Sequence, residues 1–197
     1  MMKLYDAALS GNCHKVRLLL SMLKLEHEVV AMSLYHKTPD HLARNPLGTL
    51  PVLEDGDITI YDSQAILVYL ARKHGGEDWL PGDAAGQALV QQWLSYAVNE
   101  IWNGPALARA FLLFNRDVDL ARCQAAGQSA LAHLDARLSA HDWLALDRPT
   151  IADIACYPYS ALAEAGEISL APYQALNAWF KRIEALPGYV SMPGLGG

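Results

Sequence analysis

Two short segments carry groups that could hold the two ends of a small peptide. In the first, Leu50-Pro51-Val52 interrupts a strand-like run with a proline, which suits an edge, a bulge or a cis bond because it lacks an N–H. Leu50 and Val52 then offer free backbone groups to an extended peptide. In the second, Asp62-Ser63 opens a helical pattern and places an acceptor beside exposed N–H donors. The two segments predict part of a peptide-binding site.

A hydroxyl, an amide and a thiol stand together in Ser10-Gly11-Asn12-Cys13, at the start of the first helical pattern. A cysteine at a helix N-terminus can have a depressed pKa, and the segment resembles a thioredoxin-type CxxC motif with its first cysteine replaced. Disulfide chemistry is therefore one interpretation of Cys13. We favour the other, in which the thiol packs against the sheet, because the first cysteine of a CxxC motif is the one expected to react.

Composition excludes several classes of function. The 197 residues are 52% hydrophobic and carry a net charge of −6 without a basic stripe, which argues against nucleic acid as a partner. Three widely spaced cysteines and seven scattered histidines predict neither a disulfide framework nor a metal site. No apolar run reaches the roughly 20 residues of a membrane span, and Met1-Met2-Lys3 leads directly into strand-like sequence. We therefore expect a cytoplasmic protein without a membrane partner.

The first half of the chain alternates strand and helix patterns. A strong hairpin signal, Asp55-Gly56, joins the last two strands, and apolar residues at helical spacing fill the other connections. The predicted order is βαβαββα within about 75 residues, with the first two strands parallel. The predicted strands are Lys3–Tyr5, Glu28–Met32, Leu50–Glu54 and Ile58–Tyr61.

A break in every periodicity separates this half from the rest. Glycine, proline and acidic residues crowd the stretch between His74 and Asp83, which predicts a linker at residues 77–87. From Ala88 onward the patterns are helical only. We predict an α/β domain at residues 1–76 and an all-α domain at residues 88–197.

Five short motifs follow one another along the chain. They are Ser10-Gly11-Asn12-x-x-Lys15-Val16-Arg17, His36-Lys37-Thr38-Pro39, Asn45-Pro46-x-Gly48-x-x-Pro51-Val52-Leu53, Asp62-Ser63-x-Ala65-Ile66 and Thr150-x-x-Asp153. Together with the order of the elements, they resemble the cytosolic glutathione S-transferases. The resemblance covers nearly the whole chain and implies a thioredoxin-like N-terminal domain that binds glutathione, followed by an all-helical C-terminal domain. The first motif is similar to the bacterial nu-like, theta and phi classes, in which a hydroxyl residue supports catalysis, and Tyr5 lies too early in its strand for that role.

The resemblance implies that catalysis occurs at the start of the first helix. A glutathione thiol with a pKa of about 8.5 is only a few per cent ionised at neutral pH, and the thiolate is the nucleophile. Ser10 would donate a hydrogen bond to the sulfur, and Asn12 would share this role through its amide or backbone N–H. Either residue is alternatively a plain helix cap. Lys15 and Arg17 match the family's first helix, and we expect them to serve solubility or dimer contacts.

Charged and polar groups are expected at both ends of the bound tripeptide. Asp62 would accept from the γ-glutamyl ammonium and Ser63 would donate to the neighbouring carboxylate, although the pair is alternatively a helix cap. His36 and Lys37 would face the glycyl carboxylate, and the alternative for them is a solvated charged loop.

The middle of the tripeptide and the second substrate complete the predicted site. The backbone of Leu50, Pro51 and Val52 would hold the cysteinyl unit, with Thr49 beside it. An electrophile pocket would lie between the Ser10 loop and the second domain, although an aromatic stripe of this kind is more often core. Its candidate lining residues are Tyr96, Trp102, Asn103 and Arg109.

We therefore predict a homodimeric glutathione transferase that adds the glutathione thiolate to a small hydrophobic electrophile. Glutathione-dependent reduction of disulfides or peroxides is an alternative that the nu-like pair Ser10 and Asn12 also suits. A second alternative is a protein that binds glutathione or a hydrophobic ligand without chemistry, because a family resemblance is better evidence for fold than for function.

Overall fold

The computed structural model describes residues 1–195 as an α/β unit followed by a helical unit. The last two residues of the predicted helical domain, 196 and 197, lie outside the described residues. The strands are β1 (Met2–Asp6), β2 (His27–Ala31), β3 (Val52–Asp55) and β4 (Ile58–Tyr61). The α-helices are α1 (Gly11–Met22), α2 (Pro39–Arg44), α3 (Ser63–Leu70), α4 (Gly76–Trp79), α5 (Ala84–Ile101), α6 (Leu107–Phe114), α7 (Leu120–Leu138), α8 (Ile151–Ala161) and α9 (Gln174–Glu184). Shorter turns of π-helix occupy Ala71–Gly75 and Trp102–Ala106, and a 3₁₀ turn occupies Ala163–Gly166.

The four strands form one mixed sheet in the order β2-β1-β3-β4. β1 and β2 are parallel, whereas β3 is antiparallel to both β1 and β4, so the predicted βαβαββα order is confirmed. This topology brings the C-terminal ends of β1, β2 and β4 to the same edge as the N-terminal end of β3. Residues 7–10, 32–38, 45–51 and 62–63 therefore converge there, and we call this edge the site edge.

Two boundaries differ from the sequence prediction by more than one residue. β3 begins at Val52 rather than at Leu50, directly after a cis peptide bond between Leu50 and Pro51. Residues 77–87, which the sequence analysis predicts as a linker, include part of α4 and the first turn of α5. α5 begins early because the carboxylate of Asp83 caps it, accepting from the Gly86 N–H at 2.8 Å.

Helix α8 joins the two units. Every residue from Ile151 to Ser160 is buried, and the helix packs against both α1 and α5. The apolar cores of the sheet and of the helical unit are consequently continuous. This packing carries side chains of α8 to the start of α1, at the site edge.

The start of α8 is a capping box, as the spacing of Thr150 and Asp153 predicts. The fully buried Asp153 accepts from the Thr150 N–H at 2.9 Å, the Leu144 N–H at 3.0 Å and the Trp179 indole N–H at 3.0 Å. Burial raises its pKa to about 6 although these donors favour the carboxylate. One side chain thus satisfies donors from three parts of the helical unit.

We expect Asp153→Ala to lower the free energy of unfolding by about 3 kcal/mol, because it leaves several buried donors without an acceptor. Urea denaturation of the two proteins measures the difference. Asp119→Ala is the matched control: Asp119 caps α7 at an exposed position through one bond to Arg122, and its loss should cost only about 1 kcal/mol. Equal losses in the two variants would contradict the account of Asp153.

Candidate active site

A cavity of about 470 Å³ opens between the site edge and the helical unit. Loops after β1 and β2 and the loop before β3 form one wall, and α6, α8 and the π-helical turn before α6 form the other. The lining residues are Leu9, Ser10, Asn12, Ser33, Leu34, Tyr35, Lys37, Gly48, Thr49, Leu50, Trp102, Ala106, Arg109, Ala110, Phe114, Arg116 and Tyr159.

Ser10 lies at the inner end of this cavity as the N-cap of α1. Its Oγ accepts a hydrogen bond from the Cys13 N–H at 3.3 Å, and the residue is buried. A cap uses a lone pair of the hydroxyl, so its hydrogen can still donate, and the Tyr159 phenol oxygen is one acceptor beside it. The capping and catalytic interpretations of Ser10 are therefore compatible.

Asn12 lies in the first turn of α1, lines the same cavity and is held by a buried lysine. Its Oδ1 accepts from Lys15 Nζ at 2.9 Å, so its Nδ2 group remains available as a donor. Lys15 is only 1% exposed, its Nζ lies 5.6 Å from the centre of the Tyr159 ring, and burial lowers its pKa to about 8. The expectation that Lys15 serves solubility is wrong: its ammonium group is inside the protein.

The thiol of Cys13 lies beside Ser10 but does not line the cavity. The side chain is fully buried and its Sγ accepts from the Ala7 N–H at 3.4 Å. Burial raises the pKa of the thiol to about 12, which keeps it protonated at neutral pH. This geometry favours packing over disulfide chemistry.

Gly11 permits the close approach of α8 to α1. A Cβ atom at this position would lie 2.7 Å from Cε1 and 2.8 Å from Cζ of Tyr159. The phenol ring therefore rests on the backbone of the Ser10 loop, where it forms part of the cavity wall. Arg17 secures the other side of this loop through Asp6 at 2.6 Å and the Ala8 carbonyl at 3.1 Å.

The loop before β3 is organised by Asn45, which is fully buried. Its Nδ2 group donates to the carbonyl and to the hydroxyl oxygen of Thr49, each at 2.9 Å, and its Oδ1 accepts from the Leu47 N–H at 3.0 Å. These bonds hold Thr49 and Leu50 against the cavity. Because the hydroxyl oxygen of Thr49 already accepts from Asn45, this loop is stabilised by hydrogen bonds within the protein.

Asp62 and Ser63 lie beside Pro51, at the end of the neighbouring strand β4. Val52 pairs with Tyr61, and continuing this register places residue 62 beside residue 51 at the site edge. Asp62 has a φ of 75°, a conformation costly for residues other than glycine, and its Oδ1 caps α3 by accepting from Gln64 and Ala65 at 2.9 and 3.1 Å. Pro51, Val52, Asp62 and Ser63 thus continue the site edge outside the cavity itself.

The two predicted cations of the loop after β2 differ in position. Lys37 lines the cavity, and its Nζ approaches the Leu47 carbonyl at 3.4 Å. Gly48 has a φ of 62°, and a Cβ there would lie 2.6 Å from Lys37 Cδ. The aliphatic part of the Lys37 side chain therefore packs directly against the Gly48 backbone. His36 is exposed, does not line the cavity, and has its backbone N–H bonded to Ser33 Oγ at 3.3 Å.

Only two of the four predicted electrophile-pocket residues line the cavity. Trp102 and Arg109 do, and the Trp102 ring meets the Tyr159 ring edge-on with centroids 6.0 Å apart. Tyr96 instead packs between Trp93 and His133 and donates to the Ala130 carbonyl at 2.9 Å. Asn103 is exposed and donates to Asn99 at 3.1 Å.

Comparisons with known proteins decide the family. The sequence models of the glutathione S-transferase N-terminal and C-terminal domains match residues 4–78 and 108–187. Glutathione S-transferase 4 of Zea mays is 31% identical over 198 residues, covering 94% of this chain and 88% of that protein. The chain belongs to the glutathione S-transferase family.

Further relatives of this transferase agree. The crystal structure of a glutathione S-transferase from Xanthobacter autotrophicus Py2 matches with a TM-score of 0.90 and 32% identity, covering 98% of both chains. A probable glutathione S-transferase, GSTF2, of Oryza sativa subsp. japonica is 40% identical over 102 residues, so the match spans about half of each chain: 50% of this one and 47% of that one. Within residues 1–195, no helix is long and apolar enough to cross a membrane.

The sequence analysis missed the roles of Tyr159 and Arg116, which line the cavity, and of Lys15, which binds Asn12. Tyr159 reaches the Ser10 loop only because α8 packs on α1, a contact between residues far apart in the chain that local spacing does not encode. Lys15 carries a charge that is typical of an exposed helix face. Arg116 follows the end of α6 in a polar stretch that gives no sign of the neighbouring cavity.

Proposed function

We propose that this transferase ionises the glutathione thiol at the N-terminus of α1 and adds the thiolate to a small, largely apolar electrophile. The observation that carries the proposal is the convergence of two hydrogen-bond donors, the Ser10 hydroxyl and the Asn12 Nδ2 group, in one cavity, with the Tyr159 phenol beside the hydroxyl. The N-terminal end of α1 adds positive potential at the same point.

The chemistry needs little more than this arrangement. The thiol proton passes to solvent, and Ser10 and Asn12 stabilise the sulfur anion by charge-assisted hydrogen bonds. The sulfur lone pair then forms a bond to an electrophilic carbon while a leaving group departs with its electron pair. Trp102, Phe114 and Tyr159 supply the apolar wall against which the electrophile packs.

The remaining predicted residues suit the binding of glutathione along the site edge. The Oδ2 oxygen of Asp62 remains to accept from the γ-glutamyl ammonium, because both cap bonds use Oδ1. The backbone at Leu50 and Val52 stands beside Asp62–Ser63, where an extended cysteinyl unit would pair with it. Lys37 supplies a cation for the glycyl carboxylate.

We expect Asp62→Asn to raise the Kd for glutathione about tenfold, because the variant keeps the cap of α3 but loses the charge that pairs with the ammonium. Calorimetric titration gives the Kd, and the thermal midpoint should stay nearly unchanged. Asp119→Asn makes the same charge change at another helix cap and should leave the Kd as it is. An unaltered Kd in Asp62→Asn would remove this residue from the binding site.

Turnover with paired substrates tests the function itself. We expect conjugation of 1-chloro-2,4-dinitrobenzene to exceed the glutathione-dependent reduction of hydroxyethyl disulfide and cumene hydroperoxide. Reduction without conjugation would make the protein a glutathione-dependent reductase. Saturable binding of glutathione without any of the three reactions would make it a binding protein.

We also propose a cytoplasmic homodimer. Apolar side chains remain exposed on both units, among them Leu47 at 66%, Tyr61 at 41% and Leu89 at 42%. A second copy of the chain would cover them. Light scattering that gives the mass of one chain at micromolar concentration would contradict the dimer.

A further inference from the structure

The cavity is electropositive although the protein as a whole is acidic. The net charge of the chain is −6, yet among residues 1–195 the cavity lining includes Lys37, Arg109 and Arg116 and no aspartate or glutamate. Lys37 lies on the loop after β2, whereas both arginines lie on the opposite, helical wall. A ligand bound against either wall of the cavity would therefore contact a positively charged side chain.

Arg109 is the most deeply buried of these cations. It is 3% exposed, and its Nη1 donates to the Leu9 carbonyl at 3.1 Å. Its Nε is buried without a hydrogen-bond partner among residues 1–195, and none of the ion pairs among those residues includes it. A buried guanidinium without a carboxylate is costly, and burial accordingly lowers its pKa. A bound anion would offset that cost.

Aromatic rings stand next to both arginines. The Arg109 guanidinium lies 5.5 Å from the centre of the Phe114 ring, and the Arg116 guanidinium lies 5.7 Å from the centre of the Trp102 ring. Arg116 is exposed at the mouth of the cavity, beyond the left-handed residue Asn115 that ends α6. Flat apolar surface and planar, bidentate donors thus occur together on the helical wall.

Glutathione does not account for these arginines. In the proposed binding mode its carboxylates are taken by Lys37 and by Ser63, both on the α/β unit. The helical wall faces the second substrate instead. We propose, on the basis of the proposed function, that this transferase selects planar, conjugated electrophiles that carry a carboxylate, with Arg109 binding the carboxylate and Arg116 attracting it at the entrance.

A matched pair of electrophiles tests the inference. 4-Chloro-3,5-dinitrobenzoate and its methyl ester release the same chloride and differ in the charge of one group. Each kcat/KM is divided by the rate constant of the uncatalysed reaction with glutathione, which removes the difference in intrinsic reactivity. We expect the protein to favour the acid over the ester about tenfold or more by this ratio.

Substitutions assign the preference to the arginines. Arg109→Met should abolish the preference by slowing the acid about tenfold while leaving the ester within about twofold, and Arg109→Lys should retain part of it. Arg116→Met should reduce the preference about threefold, mainly through KM. Arg122→Met removes an exposed arginine of α7 that does not line the cavity and should change neither rate.

Binding of the two reaction products separates this inference from the proposed function. Calorimetry with the carboxylate and ester glutathione conjugates should show about tenfold tighter binding of the carboxylate, whether or not turnover occurs. Equal affinities for the two conjugates, together with equal normalised rates for the acid and the ester, would overturn the inference. Turnover of the ester would still support the proposed function. An Arg109→Met variant that slows both substrates equally and raises the pKa of the bound thiol would overturn it as well, because Arg109 would then act on the sulfur. If Arg109→Met does not fold, the acid-to-ester ratio of the unmodified protein and of Arg116→Met decides the question.

Discussion

Ser10→Ala is expected to raise the pKa of the bound glutathione thiol by about one to two units, because a charge-assisted hydrogen bond contributes about 1.5–3 kcal/mol. Conjugation measured near pH about 6.5 should fall by about tenfold or more, since the thiolate fraction falls with that shift. The Kd for glutathione should change little, because the backbone and the Asp62–Ser63 pair still bind the peptide. Ultraviolet absorbance of the bound thiolate and steady-state kinetics measure the two effects.

Matched variants at position 10 separate the cap from the catalytic donor. Ser10→Gly removes the hydroxyl but weakens the α1 cap by only a few tenths of a kcal/mol, so it should lose activity with little loss of stability. Ser10→Thr keeps both the hydroxyl and the cap and should retain most of the activity. If Ser10→Gly conjugates as fast as the unmodified protein, the donor is Asn12 or the backbone instead.

Lys15→Met is expected to slow conjugation about tenfold at pH about 6.5, because without the ammonium group the Asn12 side chain can turn its oxygen toward the sulfur. The difference should vanish above pH about 9, where the thiol ionises without help. Stability should stay the same or increase, since methionine replaces a fully buried cation that no carboxylate among the described residues pairs with. A pH–rate profile measures the loss of activity, and the thermal midpoint measures the unchanged or increased stability.

The double variant Asn12→Ala/Lys15→Met tests whether Lys15 acts through Asn12. If it does, the double variant should be no slower than Asn12→Ala alone. An undiminished effect of Lys15→Met in the Asn12→Ala background would contradict the positioning role. A Lys15→Met protein with a lower thermal midpoint and an unchanged pH profile would show that the lysine is merely structural.

The order of elements could be predicted from the sequence because each rests on local patterns. The Asp55-Gly56 turn, the helical spacing of Val16, Leu19 and Leu20, and the capping box at Thr150 all depend on neighbours within a few residues. Segment boundaries were less predictable. The start of α5 depends on whether Asp83 acts as a cap or as part of a loop, and its residue type suits both.

The candidate site was predictable on its α/β side and only in part on its helical side, where Trp102 and Arg109 line the cavity and Tyr96 and Asn103 do not. Ser10, Lys37 and Leu50 belong to loops that the topology of a single sheet brings to one edge, and Asn12 lies in the first turn of the helix that follows Ser10. Tyr159 reaches the cavity only through packing between distant helices, whereas Tyr96 is directed into the contact between α5 and α7. Spacing identifies a helix face but not the neighbour that covers it.

The measurement that tests the central claim most directly is a pH titration of glutathione bound to the unmodified protein, followed by the thiolate absorbance near about 240 nm. The account predicts that the bound thiol ionises at least about one unit below its solution pKa of about 8.5. Glutathione that binds saturably with an unshifted thiol pKa would contradict the claim that the Ser10 and Asn12 donors activate it.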